Sequence, residues 1–274
     1  MSNFYSVIAQ EEEQSRKFQL KESKGNFFFF WGYNRSSYAK SNIKLVGPDY
    51  NFTLSDVKAK DLPKKFSSIY FNPTKFTIPQ FNFRIGYFIN DKYAIAGGWD
   101  HMKYQTIDGR NVTIDGTIES TASLQYAGVY DNQTIQMDHN GLVKIEHSDG
   151  FNIVNLNIER HDHLYQLFSE RLAAKIVSGA GLGIAMPWTN SFIFGTKNDD
   201  RPHFSGMGAQ VFIAPEVVFF KRIFARATFQ GGFTRLWDIA ITPKSDQSNT
   251  HAEQTIWYEE RSIVVGYRMK LIKN

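Results

Sequence analysis

The feature that most constrains this chain is a period of two in its hydropathy, repeated in segments of about ten residues, the length of a tilted membrane-crossing strand. Residues 223–236 show it most clearly. Ile223, Ala225, Ala227, Phe229, Gly231 and Phe233 share one face, and Arg226, Thr228, Gln230, Gly232 and Thr234 share the other, because successive side chains of an extended chain point to opposite sides. Near the end of the sequence, Ile263, Val265, Tyr267, Met269 and Leu271 stand opposite Ser262, Gly266, Arg268 and Lys270. Segments 80–89 and 172–184 alternate as well, and 25–34, 93–104, 152–160 and 207–220 do so more weakly. These eight segments predict eight strands. Residues 121–130 and 141–147 are candidates for two more.

The connections alternate in length. Residues 90–92 and 221–222 are tight turns, and 161–171 is intermediate. Residues 35–79, 105–151, 186–206 and 241–255 are far longer. Counting crossings puts the short connections and both termini at one end and all four long loops at the other, the asymmetry of a membrane barrel. No stretch approaches the roughly 20 apolar residues of a spanning helix, and the longest apolar run, 27–32, covers about a third of that. The chain has 24 Phe and 13 Tyr but 8 Pro and no Cys in 274 residues, an aromatic excess suited to interfacial belts. Trp31, Trp99, Trp188, Trp237 and Trp257 fall toward the long-loop ends, and Tyr87, Tyr93, Phe219 and Phe224 flank the short turns.

With the stretch GNFFFFWGYNRSSY and the later TIPQFNFRIGYF, the pattern resembles the small OmpA-type eight-stranded outer-membrane β-barrels, particularly those of Bacteroidetes. These motifs cover about the first third of the chain, and the rest matches by architecture. The resemblance implies an all-β, antiparallel, up-and-down transmembrane barrel with long extracellular loops, in a Gram-negative outer membrane with both termini periplasmic. It carries over no catalytic residue. Residues 1–24 read as a signal-peptide remnant and a polar tail, with Val7 to Gln10 before Glu11, Glu12 and Glu13. Residues 25–274 read as the barrel.

If the polar faces point inward, the lumen collects Arg84, Asp100, Glu159, Lys175, Glu216, Arg226 and Arg268. An eight-stranded barrel is just wide enough to be filled by side chains, so these charges must pair, and a plug of ion pairs is expected over a narrow channel. His101 follows Asp100 near the outer end of a strand. There a resemblance to outer-membrane lipid hydrolases and acyltransferases would place a catalytic histidine, to act with a serine such as Ser36, Ser37 or Ser205. No nucleophile elbow accompanies them, and alternation puts His101 on the face of Trp99. His161 and His163 lack a third ligand at metal spacing, and 198–200 lacks calcium-loop spacing. No phosphate cradle or cofactor fingerprint occurs.

The net charge is +4, but the basic residues are interspersed with acids and form no stripe for nucleic acid. Lys40, Lys44, Lys58, Lys60, Lys64 and Lys65 lie in the first long loop, where they serve either solubility or lipopolysaccharide phosphates. In the same loop, residues 50–57 alternate like one arm of a hairpin. Lys44, Tyr50, Phe52, Lys58 and Lys60 are therefore the candidate docking residues for an envelope protein partner. The expected role is structural, adhesive or that of a complex subunit. A lipid-modifying enzyme and a narrow channel are the alternatives.

Overall fold

The computed structural model describes residues 24–65, 67–71, 75, 78–167, 172–199, 202–241 and 250–270. The expected signal remnant and most of the polar tail lie outside the described residues, as does Leu271. In chain order the strands are β1 (Asn26–Tyr38), β2 (Ser41–Gly47), β3 (Tyr50–Val57), β4 (Ala59–Lys60), β5 (Phe81–Phe88), β6 (Tyr93–Thr106), β7 (Asn111–Ile118), β8 (Gly128–Gln136), β9 (Val143–Leu167), β10 (Leu172–Ala185), β11 (Asn190–Ile193), β12 (Thr196–Asp199), β13 (Gly206–Phe219), β14 (Ile223–Ala240) and β15 (His251–Lys270).

Eight of these strands close a ring in the order β1, β5, β6, β9, β10, β13, β14, β15, and β15 returns to β1 through thirteen consecutive antiparallel partners from Asn26↔Lys270 to Tyr38↔Tyr258. Closure leaves no barrel edge to desolvate, which is what allows strands to cross a bilayer. The eight alternating segments are these eight strands. Around the outside, large apolar side chains such as Ile85, Ile95, Leu156, Leu182, Val211, Phe229, Ile263 and Val265 are exposed. Exposed apolar area of this extent has no place in water, and it makes the ring a transmembrane barrel.

The two ends of the barrel differ. At one, β5 and β6 are joined by residues 89–92, where Asn90 Oδ1 accepts from the backbone N–H groups of Lys92 (2.9 Å) and Tyr93 (2.8 Å), a side chain standing in for a backbone turn. Between β13 and β14, Phe220 and Lys221 both take positive φ (50° and 64°), the conformation that keeps the right-handed strand twist through a tight hairpin. Lys24 reaches Asp91 and Arg268 N–H donates to Arg222 C=O, so both ends of the described chain also lie here.

At the other end the long connections build a cap. β2 pairs with the start of β15 (Ile43↔Gln254), β3 with β2, β7 with β3 and β8 with β7, while the β11–β12 hairpin adds to the start of β9. Residues 50–57 form β3, one arm of the expected hairpin. Of the two extra segments, 141–147 is largely the start of β9 and not a strand of its own. Residues 121–127 are turn and irregular loop, with β8 beginning only at Gly128. The inner faces of the cap sheets contribute Ile43, Leu45, Phe52, Leu54, Ile114 and Ile193, and the turn before β9 contributes Leu142, to one apolar core with Met102, Tyr104, Phe151 and Tyr258 of the barrel strands. A period of two that looks amphipathic for lipid serves here to bury one face against protein.

Candidate functional site

The barrel interior is filled at three levels. Nearest the tight turns, Phe28, Phe30, Phe88, Phe224, Val218 and Val264 form an apolar plug. Phe28 lies 5.4 Å from Phe88 and 6.3 Å from Phe224 between ring centroids. Gly86 and Gly266 make this possible, because a Cβ on either would fall within 3 Å of the Phe28 or Phe224 ring. Phe224 was expected at the membrane interface; it points inward instead, since the apolar residues on both faces of β14 next to the turn hide its alternation.

Above the plug, the Arg226 guanidinium sits 5.0 Å over the Phe30 ring. It donates to Glu216 Oε2 (2.9 and 3.0 Å) and to Glu159 Oε2 (3.2 Å). Arg268 bonds the other Glu216 oxygen, and His161 Nε2 is 3.0 Å from Glu159 Oε2. Lys175 lies opposite Glu216 across the β10–β13 pair. Higher still, Arg84 forks onto Asp100 (2.6 and 2.8 Å), which also accepts from Asn155 (2.8 Å) and Asn82 (2.6 Å). Asn82 Nδ2 in turn reaches Glu260 Oε1 at 2.7 Å. The seven lumen charges read from the sequence are thus all buried in the barrel, in two clusters. Glu260 was missed. It extends the inward alternation of the last strand two residues above Ser262, and it adds a fourth carboxyl group to the lumen, held by Asn82. A cavity of about 10 Å³ among Arg84, Glu159, Arg226 and Glu260 has room for about one water.

His101 keeps to the outer face of β6 yet is buried. Its ring stacks on Phe81 at 5.0 Å, and Nδ1 lies 2.7 Å from Asn152 Oδ1, an oxygen that also accepts from Trp99 Nε1 at 2.9 Å. Nε2 has no hydrogen-bond partner among the described residues, so no serine hydroxyl is within reach of this histidine there. A different histidine meets one of the candidate serines: Ser205 Oγ is 3.1 Å from His203 Nε2. That same nitrogen is 2.9 Å from Asp238 C=O, to which it must donate. A nitrogen that donates to a carbonyl cannot also take the serine proton, so the pair lacks the geometry of an activated nucleophile. In the cap, His147 is buried with Nδ1 3.1 Å from Thr189 Oγ1, and burial holds it down to about 3.

Comparison with known proteins adds only distant likenesses. No protein-family model matches the chain, and no curated protein matches it. Among solved structures, the attachment invasion locus protein Ail of Yersinia pestis, solved with the heparin analogue sucrose octasulfate, is 12% identical with a TM-score of 0.31, covering 90% of this chain and 99% of that one. The outer-membrane protein AlkL in lipid bilayers is 11% identical with a TM-score of 0.40, covering 93% and 95%. OprG of Pseudomonas aeruginosa, also an outer-membrane protein, is 11% identical with a TM-score of 0.35, covering 92% and 98%.

The docking residues proposed for the first loop divide between surface and core. Lys44 stands on the exposed face of β2, 3.6 Å from Glu253, and Lys58 and Lys60 are exposed. Phe52 is 1% exposed, so its ring builds the cap and is not offered to a partner, whereas Tyr50, half-buried, packs on it and on Phe194. On the opposite, outer face of the same sheet stand Asn42, Lys44, Asn51, Thr53, Ser55 and Asp115, exposed or half-buried.

Proposed function

We propose that the protein is an outer-membrane barrel of a Gram-negative bacterium, with its tight turns and termini in the periplasm and its cap outside the cell. Its role is structural or adhesive and is carried by the cap. The observation that supports this reading is the dry core under the long loops. Recognition surfaces are commonly loops on a rigid scaffold; here the loops are themselves ordered into sheet, with a polar face around Lys44, Asn51, Thr53 and Asp115. The partners such a face suits are an envelope or host-surface protein, with outer-membrane lipid around the belt below.

Cysteine labelling of intact cells tests the placement. Residue 115 replaced by Cys should react with an impermeant maleimide, and Asp91→Cys should react only after the outer membrane is opened; the reverse pattern contradicts the orientation. Adhesion of expressing cells to matrix-coated surfaces then tests the role. Lys44→Glu with Thr53→Arg should abolish any adhesion the wild type confers while leaving the barrel folded. Unchanged adhesion in that double variant would remove the cap face from the account.

A further inference from the structure

The outer wall of the barrel carries a groove of about 1080 Å³. It lies outside, because the inward residues at its level, Asn157 and Gln210, are only 0% and 4% exposed. Along it runs one unbroken row of cross-strand partners, from Ile95 through Ile158, Ala180, Val211 and Gly231 to Glu259, and on to Ser37. Ala180 and Gly231 leave the wall nearly bare, and a Cβ on Gly231 would meet nothing within 4 Å. Trp257, Phe233 and Leu182 form its upper bank. Six strand spacings of about 4.8 Å make a run of about 29 Å. With strands tilted by about 40°, that run climbs roughly 19 Å, somewhat more than the roughly 15 Å depth of one leaflet.

At the upper end of this groove the apolar belt is interrupted. Along β15 the outward residues run Trp257, Glu259, Arg261, Ile263, so two charges sit between exposed apolar side chains. Arg261 lies directly opposite Arg35 of β1, and a like-charged cross-strand pair opposes pairing. Arg261 Nη2 stands 3.8 Å from Glu259 Oε2, with its side chain 71% exposed. Arg35 is steadied by Asn34 C=O (2.8 Å) and the Tyr70 hydroxyl (3.2 Å). Arginines on the lipid face of a barrel cost stability in proportion to their depth. Two of them on neighbouring strands beside one carboxylate leave a net positive notch, and guanidinium groups are the side chains best suited to a phosphate.

We infer that the groove and the notch together seat one phosphorylated glycolipid of the lipid A type, with an acyl chain along the row and a phosphate on Arg35 and Arg261. A phosphate monoester, carrying nearly two negative charges, is drawn to the net positive pair of guanidinium groups more strongly than a phosphodiester carrying one. The inference rests on the reading of the cap end as the outer face.

Native mass spectrometry of the refolded full chain, titrated separately with lipid A and with phosphatidylglycerol, tests it. Wild type should retain one lipid A per barrel. Arg35→Ala with Arg261→Ala should weaken that retention at least tenfold. Gly231→Leu, or Ala209→Leu should the first not fold, should weaken it at least fivefold by filling the groove. Glu259→Gln should strengthen it. Retention unchanged by the arginine pair, unchanged by the groove fillings, or equal for phosphatidylglycerol would overturn the seat. Folding is followed separately by heat-dependent gel migration, and a wild-type chain that never enters vesicles would instead contradict the membrane reading beneath it.

Discussion

Arg226 is the side chain on which the lower lumen depends: it holds two carboxylates from two other strands and covers an aromatic plug at once. Replacing it by Ala leaves Glu159 and Glu216 short of their shared cation in a dry interior, and breaking a buried pair costs about 3 to 5 kcal/mol. Arg226→Lys should also destabilise, because one ammonium cannot reproduce the planar fork. Urea unfolding in lipid vesicles measures both, and an unchanged midpoint for Arg226→Ala would mean the network carries no stability. In the cap, His147 titrates near 3 when folded against about 6.5 in the unfolded chain. Above about pH 6.5 both states are neutral and nothing is lost. Between about 6.5 and 3 the unfolded state alone takes the proton, so stability should fall by about 1.4 kcal/mol per pH unit. His147→Gln should flatten that slope in melting curves taken from pH 7 to pH 4; an identical slope in the variant would place the acid sensitivity elsewhere.

The strands of the barrel were legible because lipid on one side and a packed polar lumen on the other enforce a period of two, as in Ile223 to Thr234. Legibility failed where that contrast vanishes. In the run Phe27 to Trp31 both faces are apolar, so nothing in the sequence separates Phe28 and Phe30, which plug the lumen, from Phe29, which faces lipid. The cap was visible only as one hairpin arm, because its pairings, such as Ile43 with Gln254, join residues far apart in sequence. Deleting 42–60 to test for a partner would therefore strip Ile43, Leu45, Phe52, Leu54 and Val57 from the cap core and expose the rest of it. A point comparison is cleaner. Phe52→Ala should cost about 3 to 5 kcal/mol and loosen the cap, seen as lost amide-exchange protection in β2, β3 and β7. Lys44→Ala, on the other face of the same sheet, should change stability by less than about 0.5 kcal/mol. Equal effects would contradict the assignment of the two faces.

Along the barrel axis an aromatic plug, two ion-pair clusters and an apolar cap lie in series, with a water-sized cavity among the lumen charges. In a barrel closed in this way, the proposed function rests on the outside: the polar face of the cap, and the wall where it meets lipid. The narrow channel expected as an alternative needs a continuous wet path through all three layers, and charges in such a path would be hydrated and not locked to one another. Single-barrel conductance in planar bilayers tests this most directly. The wild type should carry no steady ohmic current at any holding potential. A steady current, altered in size or selectivity by Arg84→Ala or Glu216→Ala, would contradict it.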